Sequence, residues 1–358
     1  MTDDLERATS FCERFGLRVP VLLSPMAGVP APALSIAIAN AGGMGACGAL
    51  LMPPDDIRRW VGSVRASTRA PFQLNLWIPG AAPVRDAPHE SAIRTFLADW
   101  GPSDPGSVDE IAFPNFNAQC DALIAAEPRV ISSVMGVYTP AFVSRIHSRR
   151  ISWFAGITTV AEARAAQAAG ADVIVAQGAE AGGHRAVFDA DAAERTLVGL
   201  FALLPAVVDA VTIPVVAAGG IADARGVRAA FALGASAVQV GTAFLRSPEA
   251  GINPVWANAL GQIAPEDTVL TRAFTGRAAR AIATDYTNAA MAVGAPLPAA
   301  YPVQRALTAP IRQAAAKDEN LQRMQAWAGQ SAALGRAEPA ADIVARLWKP
   351  LLGSVPQE

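Results

Sequence analysis

The stretch AQGAEAGGHR, residues 176–185, follows directly on the uncharged run VIV at residues 173–175. Such an apolar run is typical of a buried parallel strand. The glycines that follow allow the main chain to approach a ligand closely and to adopt positive φ, and histidine titrates nearest neutral pH. The combination indicates the edge of a cofactor site with an acid–base group, His184, beside it. The alternative is a tight turn that carries a surface histidine.

Eight apolar or small-residue runs have the character of buried strands. We predict them at residues 21–24, 44–50, 72–77, 130–134, 151–155, 172–176, 214–218 and 236–240. Helices or connecting segments separate them, and this alternation implies a parallel sheet. Eight such units that close on themselves form a TIM (β/α)8 barrel, with its chemistry at the carboxyl ends of the strands. An open doubly wound sheet is the competitor, but its Gly-x-Gly-x-x-Gly fingerprint does not follow the first strand.

The barrel is expected to occupy residues 1–250. Residues 251–338 do not repeat the strand–helix unit and are rich in Ala, Arg and Leu. We interpret this segment as a helical cap that forms a substrate domain. Residues 339–358 are predicted to be a closing helix, over 340–348, and a tail that returns to the barrel.

Composition excludes several classes of protein. The 358 residues are 52% hydrophobic with a formal net charge of −2, which is ample for a large core. The scattered Lys and Arg residues give no footprint for nucleic acid or anionic lipid. Three widely spaced cysteines, without a Cys-x-x-Cys pair, favour neither a disulfide framework nor a zinc site and indicate a reducing cytosol. We therefore expect a cytoplasmic protein without a metal.

One segment invites a membrane interpretation, because no charged residue lies between Arg18 and Asp55. Four prolines and the pair Gly42-Gly43 would break a continuous helix there. A buried strand, a helix and a second buried strand fit the segment better. No membrane partner is therefore expected.

Glycine-containing turns follow the seventh and eighth predicted strands, at Gly219-Gly220 and Gly241-Thr242. The loops after these two strands commonly bind phosphate in TIM barrels. Main-chain N–H groups in such turns, or at the next helix N-terminus, hold a phosphate without a lysine. Flavin mononucleotide (FMN) and a phosphosugar would both satisfy this argument. Ordinary turns that approach a helix are the alternative without a ligand.

Over nearly its whole length the chain resembles the nitronate monooxygenase family, formerly called 2-nitropropane dioxygenases. The matching pieces are SPMAG at 24–28, QLNLW at 73–77, QGAEAGGHR at 177–185, the stretch 214–244, TRAFTGR at 271–277 and WAGQ at 327–330. The resemblance implies an FMN-dependent TIM barrel. Its expected activity is oxidative denitrification of alkyl nitronates, and of nitroalkanes as a further class, with O2 to carbonyl compounds and nitrite. A homodimer is one assembly compatible with it.

The resemblance also assigns roles to residues. His184 would be the catalytic residue at the flavin face, donating to the nitro oxygens when protonated or removing the α-proton when neutral. The residues expected to bind the cofactor are Pro25, Met26, Ala27, Gly28, Asn75, Gln177, Gly182, Gly183, Ala218, Gly219, Gly220, Gln239, Val240, Gly241 and Thr242. Ser133 and Met135 replace bulkier aromatic residues usual in the family, so they are expected to line the substrate pocket. Tyr301 is expected to line its entrance from the cap, and a tyrosine that is merely packed at the surface is the alternative.

Two other functions stay open on the sequence. An FMN-dependent, NAD(P)H-using enoyl-acyl-carrier-protein reductase would share the fold and the Gly-Gly-His motif, and its hydride donor could stack on the flavin. The WAGQ motif at residues 327–330 favours the monooxygenase. The second alternative is a flavin-binding protein without turnover. The redox work in either enzyme would belong to the cofactor.

Overall fold

The computed structural model describes residues 3–29, 31–102 and 113–352. The strands of the main sheet are β1 Val21–Leu23, β2 Gly45–Gly48, β3 Phe72–Trp77, β4 Val130–Val134, β5 Ser152–Ile157, β6 Val173–Gln177, β8 Val215–Ala218 and β9 Ala237–Val240. Three further strands are β7 Gly183–His184, β10 Thr268–Thr271 and β11 Ala279–Ile282.

The eight strands of the main sheet are parallel and follow the order β1-β9-β8-β6-β5-β4-β3-β2. The sheet closes through Met44, whose N–H donates to Val21 O over 3.1 Å and whose carbonyl accepts from Leu23 N–H over 2.9 Å. These bonds join the first strand to the second and complete a ring of eight. The predicted TIM barrel is therefore confirmed.

Helices surround the barrel and build the cap. Their bounds are α1 Asp3–Phe15, α2 Pro32–Asn40, α3 Pro54–Ser67, α4 Ala87–Ala98, α5 Phe116–Ala125, α6 Pro140–Ser148, α7 Val160–Ala168, α8 Leu200–Val208, α9 Ala224–Ala232, α10 Pro254–Leu260, α11 Asp285–Ala290, α12 Val303–Leu307, α13 Ala309–Lys317 and α14 Ala340–Leu352. In the described ranges, no helix combines the length and the apolar character that crossing a bilayer requires.

Alternate strand residues pack in two separate cores. One set faces the surrounding helices, and the other fills the barrel together with α1. The Phe15 ring of α1 meets Phe154 of β5 edge-on, with centroids 5.0 Å apart, and Phe11 lies beside it. This helix therefore packs against the interior core of the barrel, which leaves the carboxyl ends of the strands to form a site.

The segment between barrel and closing helix is not purely helical, which corrects the expectation for residues 251–338. Strands β10 and β11 pair antiparallel, and β11 pairs in turn with β7. The register places Ala279 opposite His184 and Arg280 opposite Gly183. The barrel residue expected to be catalytic thus forms the edge strand of a sheet that the cap supplies.

The helix expected at residues 196–211 is shorter at both ends, as α8. The N–H of Ala179 donates to Val198 O over 2.8 Å, which ties down the residues before the helix. The carboxylate of Glu180 then accepts the N–H of Leu200, at 2.9 and 3.0 Å from its two oxygens. An anion at a helix N-terminus is favourable, so Glu180 helps fix where α8 begins.

Candidate active site

A cavity of about 340 Å³ opens at the carboxyl ends of the barrel strands. This volume lies within the range of small-molecule and cofactor sites, and the position is where TIM barrels place their chemistry. All fifteen residues expected to bind the cofactor line it, as do His184, Ser133 and Met135. The structure therefore brings together strand ends separated by more than 200 residues of sequence.

Part of the cavity wall is a cradle of main-chain groups. Gly219 and Gly220 have φ of +102° and +70°, which favour glycine. A Cβ on Gly219 would lie 3.1 Å from Ala181 N. In the described part of the chain, the N–H groups of Gly220, Gly241 and Thr242 make no main-chain hydrogen bond. Free N–H groups beside tightly packed glycines fit a bound phosphate.

Inward-facing amides form the floor of the cavity. Gln73 Nε2 donates to Leu23 O over 3.0 Å and lies 3.2 Å from Gln239 Oε1. Asn75 Nδ2 donates to Ser132 Oγ over 3.1 Å. These bonds leave the Nε2 group of Gln239 and the Oδ1 atom of Asn75 for a ligand. One donor and one acceptor suit the polar edge of a flavin ring.

Gln177 holds the segment that carries the imidazole. Its Nε2 donates to His184 O over 3.0 Å, and its Oε1 accepts from Ala186 N–H over 2.9 Å. The buried Arg185 guanidinium donates to Gly178 O over 2.6 Å. The amide of Gln177 lines the cavity, and its two hydrogen bonds show that it also positions His184.

The His184 imidazole lines the cavity beside two indole rings. Its centroid is 4.8 Å from that of Trp77 and 5.1 Å from that of Trp327, both near edge-on. Its Nε2 atom lies 2.9 Å from the hydroxyl oxygen of Thr275. Burial, together with the charges of three nearby guanidinium groups, lowers the pKa of this imidazole to about 3. At neutral pH the ring is therefore uncharged.

The three guanidinium groups belong to Arg277, Arg305 and Arg312. Arg305 and Arg312 line the cavity. Arg312 Nη1 donates to Gln325 Oε1 over 2.9 Å, and burial followed by the charge of Arg305 lowers its pKa to about 10. In the described ranges none of the three forms an ion pair with a carboxylate. The cap wall of the cavity is therefore positively charged.

The three residues expected at the substrate pocket have different positions. Met135 lines the cavity with φ of +68°, and its N–H donates to Ala186 O over 3.0 Å. Ser133 also lines it, and its hydroxyl accepts from Trp153 Nε1 over 3.0 Å. Tyr301 lies outside the lining, with its ring centroid 5.6 Å from that of Trp77. Tyr301 therefore supports Trp77 from behind.

Several lining residues were missed by the sequence reasoning. They are Trp77, Thr275, Arg305, Arg312, Gln325, Trp327, Gly329 and Ser331. Four of them lie within the family motifs at 73–77, 271–277 and 327–330, but nothing in those motifs singled them out. Arg305 and Arg312 lie in the segment 251–338, where no spacing pattern marks them. Only the fold shows that they face His184.

In the described ranges, no group of three or more His, Cys, Asp or Glu side chains could hold a metal ion. A TIM barrel whose cavity is lined by glycine-rich turns at the strand ends and by a buried imidazole has the form of a cofactor-dependent barrel enzyme.

Comparison with known proteins gives the family. The sequence model for nitronate monooxygenase matches residues 9–349, so the chain belongs to the nitronate monooxygenase family and is an oxidoreductase. The nitronate monooxygenase of Paraburkholderia phytofirmans is 37% identical, over 96% of this chain and 94% of its own. That of Pseudomonas aeruginosa is 36% identical, over 96% and 99%.

Solved structures agree with this assignment. A nitroalkane oxidase from Streptomyces ansochromogenes superposes with a TM-score of 0.86 at 34% identity, over 96% of this chain and 98% of its own. FabK from Thermotoga maritima superposes with a TM-score of 0.73 at 26% identity, over 97% and 99%. The same barrel architecture therefore serves more than one named protein.

Proposed function

We propose that the protein is an FMN-dependent nitronate monooxygenase that oxidises an alkyl nitronate with O2 to a carbonyl compound and nitrite. The observation that carries the proposal is the positively charged cap wall beside His184. Arg305 and Arg312 face the cavity without a carboxylate partner in the described part of the chain. A nitronate is an anion, and unpaired guanidinium groups in a partly buried cavity attract one.

The donor set supports FMN as the cofactor. The free N–H groups of Gly220, Gly241 and Thr242 suit its phosphate. Gln239 and Asn75 offer a donor and an acceptor to the ring. Bound FMN would supply the redox chemistry between the nitronate and O2. Residues that would hold it also include Pro25, Met26, Ala27, Gly28, Gln177, Gly182, Gly183, Ala218, Gly219 and Val240.

His184 is the proposed catalytic residue, and it works in its uncharged form. A ring whose pKa is about 3 is a weak base, which favours a substrate that has already lost its α-proton. The nitronate anion therefore fits this site better than a neutral nitroalkane. Thr275, with its hydroxyl oxygen 2.9 Å from Nε2, fixes the orientation of the ring toward the bound anion.

The proposed small-molecule partners are thus the nitronate and O2, and the proposed location is the cytoplasm. A homodimer is also a proposal, since it rests on the family resemblance alone. The domain division at residues 250 and 338 stays a prediction. The hairpin of the cap and β7 of the barrel share one sheet, so strand pairing crosses the first of these boundaries.

An anaerobic donor experiment tests the function. The purified protein is expected to show a flavin spectrum that propyl nitronate bleaches, whereas NADH and NADPH leave it unchanged. Readmission of O2 should restore the spectrum and release nitrite in proportion to the nitronate consumed. Bleaching by a pyridine nucleotide alone would instead identify a reductase, the alternative left by the sequence. A flavin that neither donor reduces would identify a non-catalytic flavin-binding protein.

A further inference from the structure

A short segment of the chain, Trp327 to Ser331, lies against the cradle loops of the cavity. We call these five residues the clasp. Trp327, Gly329 and Ser331 line the cavity, although they follow the last barrel strand by more than 80 residues. The clasp therefore brings a distant part of the sequence to the ends of the barrel strands.

Three hydrogen bonds attach the clasp to three different barrel loops. Gly329 N–H donates to Thr242 Oγ1 over 3.0 Å, in the loop after β9. Ser331 Oγ donates to Gly220 O over 2.6 Å, in the loop after β8. Gln330 N–H donates to Glu180 O over 3.0 Å, in the loop after β6. The clasp thus spans the loops that form the cradle.

The bond from Gly329 also orients a cradle side chain. Because the Thr242 oxygen accepts the N–H of Gly329, its own proton stays available to donate into the cavity. A phosphate oxygen in the cradle is the natural acceptor for that proton. The Ser331 N–H likewise makes no main-chain hydrogen bond in the described ranges. The clasp therefore adds donors to the cradle.

Packing around the clasp is too tight for added atoms. A Cβ on Gly182 would lie 2.5 Å from Gly329 N, and a Cβ on Gly329 would lie 3.0 Å from Glu180 O. The other end is fixed by Trp256, whose Nε1 donates to Trp327 O over 3.2 Å. The Ala328 N–H donates to Arg280 O in β11 over 3.3 Å. The clasp is therefore held at both ends and in the middle.

We propose that the clasp closes over the phosphate of the bound cofactor and sets the rate at which the cofactor leaves. The proposal rests on the proposed function only in taking FMN as the occupant of the cradle. Gly329 and Ser331 are positioning residues in it: one directs the hydroxyl of Thr242, and the other ties the clasp to Gly220. Release of FMN then requires the bonds to Thr242 and Gly220 to open.

The test measures FMN release from Ser331→Ala and Gly329→Ala. Dissociation is followed by the rise in flavin fluorescence after the holoprotein is diluted far below the dissociation constant for FMN, so that released FMN stays free in solution. Loss of one ordinary hydrogen bond predicts release about fivefold faster for Ser331→Ala. Gly329→Ala should release FMN at least as fast, because its Cβ displaces the segment.

The matched control is Ser63→Ala, which removes a serine hydroxyl that donates to a main-chain carbonyl in α3, away from the cavity. Its FMN release should equal that of the unaltered protein. Riboflavin, which lacks the phosphate, should bind the unaltered protein and Ser331→Ala with the same dissociation constant. That comparison separates closure over the phosphate from general loosening of the site.

Equal FMN release rates in all four proteins would overturn the proposed role of the clasp. An equal loss of affinity for FMN and for riboflavin in Ser331→Ala would overturn it as well. Absence of FMN binding by the unaltered protein would overturn the cofactor assignment and the clasp together. Tight FMN binding without nitronate oxidation would overturn the proposed activity. The release experiment would still decide whether the clasp controls FMN release, because it does not depend on turnover.

Discussion

At the scale of single residues, the imidazole of His184 has an unusual environment for a group expected to handle protons. Two indole rings flank it, and three arginines lie near enough to disfavour its protonation. An anion bound beside the ring would offset part of that effect, because opposite charge favours the protonated form. Binding of an anion and protonation of the imidazole are therefore coupled at this site.

We expect the His184 ring of the ligand-free protein to remain uncharged down to pH of about 3. An NMR titration of histidine-labelled protein, with the signal assigned by its loss in His184→Asn, measures this directly. The unfolded chain binds a proton below pH of about 6.5 whereas the folded chain does not, so this group makes stability fall as pH falls from 6.5 toward 3. A His184 signal that titrates near its ordinary pKa would contradict the site geometry.

Replacement of His184 itself tests its catalytic role. His184→Asn should retain FMN, since the main-chain N–H groups of the cradle are unchanged, but should lose most turnover on neutral nitroalkanes. Turnover on the preformed nitronate should fall less, because no α-proton has to be removed. Steady-state kinetics with both forms of one substrate measure the difference. Unchanged rates with both would remove His184 from the mechanism.

Charge recognition is tested at Arg305, whose side chain lines the cavity. Arg305→Met keeps much of the side-chain volume and removes the charge. We expect KM for a nitronate to rise about tenfold, roughly 1.4 kcal/mol, with a smaller effect at high ionic strength because salt already screens the interaction. Arg323→Met, at an exposed position, is the control. Equal KM values in both variants would show that the cap wall does not recognise the anion.

At the scale of elements, the barrel strands were predictable because each is an apolar or small-residue run bounded by polar or glycine-rich turns. The β7–β11–β10 sheet was not, because β7 is only two residues long and its partner β11 begins 95 positions later. A two-residue strand carries no periodic signal, and its pairing depends on where the cap folds back. The glycines of the cradle were predictable from their place after strands, whereas the arginines and the clasp were not.

The buried Arg280 guanidinium ties the cap hairpin to the barrel. Its Nε donates to Ala179 O over 3.0 Å and its Nη1 to Thr268 Oγ1 over 3.0 Å. Arg280→Met should lower the free energy of unfolding by about 2 kcal/mol, since a buried carbonyl and hydroxyl lose a charged donor. Urea denaturation measures it, with the exposed Arg228→Met as the control. A loss no larger than the control's would show that the hairpin is held by its strand pairing alone.

At the scale of the whole molecule, the closing helix α14 returns the chain to the start of the barrel. It packs against α2 and α9, where the ring of Trp348 lies 5.7 Å from that of Phe231. The closing helix was predicted over residues 340–348, and the structure extends it to Leu352. The tail from residue 353 onward lies outside the described residues.

Leu347 of α14 is completely buried, which makes it a test of how far this helix supports the barrel. Leu347→Ala should lower the free energy of unfolding by about 2–5 kcal/mol, through lost burial and the cavity left behind. Urea denaturation followed by tryptophan fluorescence measures it. A single cooperative transition would indicate that barrel and helix unfold together. A change below about 1 kcal/mol would mean that the helix is a peripheral addition.

Gly183 and His184 belong to the barrel by chain order and to the cap by strand pairing. A chimera that joined a relative's cap to this barrel would replace β11, the strand with which His184 pairs. Its reactivity would change even if every cavity side chain of the barrel were retained. Engineered hybrids of such enzymes should therefore exchange residues 183–185 and 268–282 as one unit.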